Sequence, residues 1–484
     1  MLRPSYRCRS DRAHPLQIES CIPSARHHLT VDMDMERTDV LVDILRHLPP
    51  RSLAASRCVC AAWRATVDHH RLLRADLFPL SLDAVIYEKA VMDAPILFSR
   101  RSTARYITSR LSYLEEDPAY GEYAGEVKDH CNGLLLIQND TVVNPATRQW
   151  ARLPPLPCAC SWPRTTMSCG RCHHNRYLVY DPTISAHYQV FFIPRIPRDV
   201  LSETACTTEW PPSSYAMHVF SSETKCWKQR SFARQGDAAG TMEDVVSCWK
   251  SDMDLYYAAY WQGSLYVPCR HRQADFLLRI NLSNDKYEVI KLPKGCRRSQ
   301  FRLGRSKKGV YCALYIDGGC KFQVWFLDES CGLIDWALKN EIDLEPAWRK
   351  YSWDHCGHGP WILQTRGETE LLLKSDVNLA LVEEYNQAVA KDGFEWHFDD
   401  ENVVGITDWS NKSSPDSGTP ILECLGFHPY KEIVLFHEYD GATVAYHLNS
   451  SKVRYLGKME HPYSGIEISF AYAPCWTRDL PGSN

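Results

Sequence analysis

The sequence has no stretch approaching 18 consecutive apolar residues, so no apolar membrane-spanning helix is expected. It also has no excess of basic charge. Lys and Arg number 55 against 59 Asp and Glu, and the net charge of −4 argues against a general nucleic-acid binder. No G-x-S-x-G elbow, G-x-x-x-x-G-K-[ST] loop or H-E-x-x-H helix is present, so the commonest hydrolase, nucleotide and metalloprotease signatures are missing. Twenty cysteines in 484 residues fall below the share, about 8–10%, that marks a disulfide scaffold. They are scattered from Cys8 to Cys475, and the opening MLRPSYRCRSDRAHPLQ has no apolar h-region. Reduced thiols in the cytoplasm or nucleus are expected, and the sequons at Asn139, Asn281, Asn411 and Asn449 are read as chance matches.

What is present falls into regions of different period. Residues 1–37 hold Arg3, Arg7, Arg9, Arg12 and Arg26 with Pro4, Pro15 and Pro23, and read as a disordered basic tail rather than an organellar leader. Residues 38–80 read as helices. Thr38 is a candidate cap, Leu41, Ile44, Leu45 and Leu48 recur at helical spacing, and Pro49 and Pro50 end the run. Ser52 opens a second helix with Val59, Trp63 and Val67 four apart. A module of this size rarely buries enough apolar surface to fold securely alone. Its large side chains therefore need the rest of the chain or a partner, and periodicity alone leaves that choice even.

Residues 81–125 read as a connecting segment, and from about Cys131 the period becomes that of strands. Asp317–Gly318 and Asp440–Gly441 lie between apolar runs and signal hairpins. A loose repeat joins apolar residues, a polar turn and a second apolar run. It is seen in VVNPATRQWARLP (142–154), HVFSSETKCWKQRSF (218–232), LLRINLSNDKYEVIKLP (277–293) and VAYHLNSSKVRYLG (444–457), with a divergent copy in VWFLDESCGLIDWAL (324–338). Each follows another strand pair, such as CNGLLLI or YWQGSLYV. Residues 126–475 are thus expected to form a large all-β domain, an irregular propeller of six or seven blades, with 476–484 as a disordered tail. The interval 340–420 fits this pattern poorly. WILQTRGETELLLK is taken to begin a blade there, and EEYNQAVAKDG is the main helix candidate.

Residues 39–68, DVLVDILRHLPPRSLAASRCVCAAWRATVD, closely resemble an F-box. The matching residues are Leu41, Ile44, Leu45, Leu48, Pro49, Ser52, Leu53, Val59, Cys60, Trp63 and Arg64. The family's usual opening Leu-Pro is replaced by Glu36–Arg37, which bears on the strength of adaptor binding. CNGLLLI, VVNPATRQWARLP and YLVYDPTISAHYQVFFIP resemble the F-box-associated domain of plant F-box proteins. The resemblance implies a non-catalytic substrate receptor of an SCF-type ubiquitin ligase, with no cofactor. Leu41, Ile44, Leu45, Leu48, Pro49, Leu53, Val59, Cys60 and Trp63 would meet a Skp-type adaptor, and through it cullin and RING subunits. The β domain would hold an unidentified target protein. The alternatives are an F-box scaffold acting outside any ligase and a propeller enzyme of galactose-oxidase type.

Two further clusters stand out. CGRCHH places Cys169 and Cys172 beside His173 and His174, with Cys158 and Cys160 upstream, but the second pair has no clean spacing and no metal is expected. The run KLPKGCRRSQFRLGRSKKG carries Arg297, Arg298, Arg302, Arg305, Lys307 and Lys308 without an acid. It reads as a solvated loop between two β units, or else as a docking patch for an acidic target or a nuclear-import signal.

Overall fold

A computed structural model of the chain describes residues 40–48, 56, 59–70, 72, 82–89, 95–100, 111, 114, 126–138, 140–156, 174–194, 207–246, 257–269, 275–293, 301–316, 319–330, 334–350, 359–364, 403–405, 421–438, 441–459, 466–475 and 480–482. It divides into two compact units, Met1–Pro79 and Leu80–Asn484. The expected N-terminal tail, the Asp-Gly turn at 317–318, the C-x-x-C at 169–172 and the helix near 383–393 lie outside the described residues, whereas the expected C-terminal tail is in part ordered, with Leu480 buried in a core and its N–H donating to Gln149 Oε1 at 3.0 Å. No described helix is long and apolar enough to cross a membrane.

In the first unit, α1 (residues 40–46) and α2 (Ala61–His69) enclose a small core of Val42, Leu45, Val67 and Leu72. The second unit is mostly β-sheet. Strands β1 (Ala84–Lys89) and β2 (Ile96–Arg100) come first, inside the stretch expected to be a connector. Then β3 (Val127–Cys131), β4 (Leu134–Ile137), β5 (Thr141–Asn144) and β6 (Gln149–Arg152) form a four-stranded antiparallel sheet in chain order. In the next sheet, β7 (His174–Val179) and β8 (Gln189–Pro194) continue past the short β9 (Glu209–Trp210) into β10 (Ser214–Ser221) and β11 (Cys226–Gln235). The short β12 (Gly240–Thr241) pairs with β9 and leads into α3 (Met242–Val246).

Two more groups of four strands repeat the plan. One holds β13 (Ala259–Trp261), β14 (Ser264–Cys269), β15 (Phe276–Asn281) and β16 (Lys286–Lys291), and a short parallel pairing of β16 with β11 joins it to the preceding strands in one eight-stranded sheet. The other holds β17 (Phe301–Ser306), β18 (Gly309–Tyr315), β19 (Lys321–Asp328) and β20 (Asp335–Asp343), followed by α4 (Glu345–Lys350). Beyond β21 (Trp361–Gln364) and β22 (Val403–Gly405), a fifth sheet runs through β23 (Leu422–Phe427), β24 (Ile433–Glu438), β25 (Ala442–His447) and β26 (Lys452–Lys458), with β22 added at the β26 edge. The last strand, β27 (Ile466–Tyr472), pairs with β1, and the order β21-β2-β1-β27 completes a sixth sheet. Trp361–Gln364 therefore adds an edge strand to β2 instead of opening a blade of its own, because its partners lie at Leu97–Arg100.

The cores follow the sheets in cyclic order. One cluster joins the sheets of β3–β6, β7–β11 and β13–β16. Others join β13–β16 to β17–β20, β17–β20 to β23–β26, and β23–β26 to the β1–β27 sheet. A fifth returns from the β1–β27 sheet to β3–β6 through Phe470, Tyr472, Val127 and Leu135. The first strands approach one another in the same sense, β3 with β7, β13 with β17, β17 with β23 and β23 with β27.

All five repeat strings fold as the hairpin joining the third and fourth strands of a sheet. In four of them the residue just before the fourth strand has positive φ, at Arg148, Lys225, Asp285 and Ser451. A non-glycine residue in that region costs energy that the turn must offset. Asn144 and Asn281 do so at the turn entrance by accepting the N–H two residues on, at 3.1 and 3.0 Å, and Asp328 makes the same bond at 2.8 Å in the fifth hairpin. The hairpins between first and second strands are tighter. Asn132–Gly133 and Gln262–Gly263 are two-residue turns with positive φ at both positions, as the twist of the strands demands.

Candidate interaction surfaces

The first unit divides its apolar residues by face. In α1, Leu45 is fully buried with Val42, while Leu41 and Leu48 pack half-buried against them. One position away, Ile44 is 56% exposed, and Val40, a turn earlier on the same face, is 60% exposed. Val59 is 63% exposed, and Cys60 beside it is exposed too. The Cys60 Sγ accepts the Trp63 N–H at 3.5 Å, so the thiol caps the first turn of α2. Trp63 is half-buried against the core, and Thr66 Oγ1 donates to the Ala62 carbonyl at 2.9 Å. Of the residues the sequence singled out, Leu45 faces inward, Leu41, Leu48 and Trp63 straddle the boundary, and Ile44, Val59 and Cys60 face out. Pro49 and Leu53 lie outside the described residues. Val67, read from the sequence as part of the helical stripe, is in the core, and Val42 and Leu72 are core residues absent from that reading. The spacing of Val42 and Leu45, three apart, could have signalled the former.

In the second unit the basic run is not a loop throughout. Residues 301–306 and 309–315 are strands, because Phe301, Val310, Cys312 and Leu314 alternate into the core below the charges. Arg302 is half-buried, and its Nε donates to the Cys424 carbonyl at 3.4 Å. Arg305 is also half-buried and donates through Nη2 to Asn132 Oδ1 across the unit. Lys308 is exposed but lies 3.2 Å from the Glu432 carboxylate, and Lys307 is exposed. Arg297 and Arg298 lie outside the described residues. The four described members thus do not form one exposed patch.

Buried carboxylates tie sheets together. Asp129 accepts the Leu178 N–H at 2.7 Å and the Ala258 N–H at 3.3 Å, linking β3 to β7 and to the residue before β13. Burial pushes its pKa well above the usual carboxylate range, against the pull of those N–H groups. Glu88 on β1 accepts the Val127 N–H at 2.6 Å. Glu432 accepts from Tyr311 Oη at 2.7 Å and from Asn449 Nδ2 at 2.5 Å. Burial alone would raise its pKa, but these bonds and Lys308 outweigh it and hold the group below its ordinary value. Among the described residues no group of three or more His, Cys, Asp or Glu side chains is placed to hold a metal ion.

No curated protein sequence matches the chain. Among solved structures, Zg3597, a family 117 glycoside hydrolase produced by the marine bacterium Zobellia galactanivorans, is similar at 9% identity over 54% of this chain and 70% of that one. Its TM-score of 0.23 is too low to bear on fold or activity. A family model for the F-box domain matches residues 38–75, the stretch that holds α1, α2 and the divided apolar faces. Residues 38–75 of this chain are an F-box domain.

Proposed function

We propose that the chain is the substrate-receptor subunit of an SCF-type ubiquitin ligase. The F-box match at residues 38–75 carries this reading, because F-box domains bind Skp-type adaptors and the proteins that carry them are generally non-catalytic. Val40, Ile44 and Val59 would be the anchors of that contact. Burying each such side chain at an interface is worth about 1.5–3 kcal/mol. Leu45 would act indirectly, by holding α1 and α2 together.

The second unit would be a six-bladed propeller of the F-box-associated kind. Six groups of antiparallel strands, two of them joined by the parallel pairing of β11 with β16, have cores in cyclic order completed by the pairing of β1 with β27, and these support that reading. Its hairpin turns would present the target, with Lys307 and Arg305 contributing positive charge and the adjoining Arg297 and Arg298 doing the same. The ligase's RING subunit and conjugating enzyme would perform the chemistry, and this chain would raise the local concentration of a target lysine.

The test is co-purification of the full chain with a Skp-type adaptor, wild type against an Ile44→Ser/Val59→Ser double variant. A stoichiometric complex with wild type alone is the expected result. Failure of folded wild-type chain to bind any adaptor would overturn the reading. A complex that forms with adaptor yet recruits no cullin would favour the scaffold alternative, which the Glu36–Arg37 departure at the start of the F-box also favours.

A further inference from the structure

Four partly buried arginines in the second unit are matched with carboxylates. Arg176 meets Asp140 at 3.0 Å, Arg279 meets Glu329 at 2.9 Å, Arg234 meets Glu209 at 2.5 Å, and Arg230 meets Asp285. Arg305 differs. Among the described residues its guanidinium has no carboxylate partner, and its one side-chain hydrogen bond goes to the neutral amide of Asn132. Asn132 in turn donates to the Tyr180 carbonyl at 2.5 Å, so the amide is fixed between the two.

The surroundings define a place in the fold. Arg305 lies near the end of β17 and Asn132 in the β3–β4 turn. The positive charge of Arg305 also bears on Tyr260, on Tyr430 in the β23–β24 turn, and on Cys131 and His130 at the end of β3. The acid that acts on both tyrosines, Asp181, is turned onto Thr183, accepting its N–H at 2.9 Å and its hydroxyl at 2.6 Å. Lys307 adds an exposed cation two residues beyond Arg305, whereas Lys308 is taken up by Glu432. A half-buried guanidinium without a counter-ion is costly to hold. It presents a planar fork of donors matched to a carboxylate.

We infer that Arg305, at the end of β17 beside the β3–β4 turn, receives a carboxylate from an acidic peptide segment of the target. The inference rests on the target-holding role proposed above and gives that role a chemistry. Recognition is then local, at one guanidinium, instead of spread over the basic run.

The test uses the full chain and fluorescein-labelled peptide pools of random sequence, one with a central Glu-Glu pair and a matched one with Gln-Gln. The Glu pool should bind about tenfold or more tightly, as expected for one charge-assisted contact. Arg305→Gln should remove that difference, and Lys291→Gln, which deletes an exposed charge on β16, should leave it. Because Arg305→Gln also loses the bond to Asn132, Asn132→Asp serves as a second variant. It keeps the arginine and supplies the missing carboxylate internally, so it should likewise remove the difference while the chain stays folded by circular dichroism. Equal binding of the two pools, including no binding of either, overturns the inference. So does a loss in Lys291→Gln as large as that in Arg305→Gln. Co-purification with the adaptor is a separate readout, so failure here leaves the ligase reading standing and failure there leaves this one measurable.

Discussion

The two units handle apolar surface in opposite ways. The first buries Val42, Leu45, Val67 and Leu72 and leaves Val40, Ile44 and Val59 more than half exposed. The second distributes its apolar residues over five clusters and spends buried polar groups, such as Asp129 and Glu88, on binding sheet to sheet. Among the described residues the core of the first unit has four members, so little margin for change is expected, and stability and binding should be separable only at outward positions. In the second unit the margin is large, and single changes should register as shifts in melting rather than as loss of the fold.

Leu45→Ala gives the largest expected effect. Truncating a buried leucine costs about 2–5 kcal/mol, comparable to all that so small a core supplies. The first unit should lose its helical signal while the β unit's thermal transition is unchanged. Ile44→Ala, one residue away, should keep the helices and weaken adaptor binding. If both variants unfold the unit equally, the division into inward and outward faces is wrong. Calorimetry together with adaptor binding checks both.

Asp129→Asn comes next. One of its two acceptor oxygens becomes a donor facing an N–H, which leaves a buried group unpaired at a cost of about 1–3 kcal/mol. The β unit should melt at lower temperature with adaptor binding intact. Loss of adaptor binding as well would break the separation of the two units.

The smallest effect is a pH dependence at Glu432. Its pKa in the folded chain is held below the ordinary value by Tyr311, Asn449 and Lys308. A depressed carboxylate contributes stability above its unfolded pKa, near about 4.3, and that contribution is lost as pH falls through the folded value. Wild type should therefore melt higher than Glu432→Gln at neutral pH, and the gap should close in acid. A gap that persists unchanged below that range would show that packing at Glu432, rather than its charge, matters.

Turn chemistry made most of the β unit legible in the sequence. Asn144, Asn281 and Asp328 announce their hairpins through local hydrogen bonding, and Asn132–Gly133 through the positive φ that the turn requires. Strands β1 and β2 were not read from the sequence, since AVIYEK and ILFSR lie outside the repeat, and β1 finds its second partner only at residues 466–472. β17 was hidden differently. Its arginines broke the apolar alternation that Phe301 and the strand after it maintain, so a strand read as a loop. In the F-box the apolar stripe was plain, but the difference between Leu45 and Ile44 is one of helix angle, set by where α2 packs. Local sequence does not record that.

The pairing of β1 with β27 also bears on how the protein is made. A ribosome releases residues 84–89 long before residues 466–472 exist, and at about 5–20 residues per second the wait is roughly 20–75 s. During that interval Val85, Ile86, Tyr87, Leu97 and Phe98, all buried in the finished protein, have neither the closing strand nor the final core beside them. The nascent chain thus carries uncovered apolar surface for most of its synthesis, and a message truncated before residue 466 would yield a protein with a permanently open apolar edge.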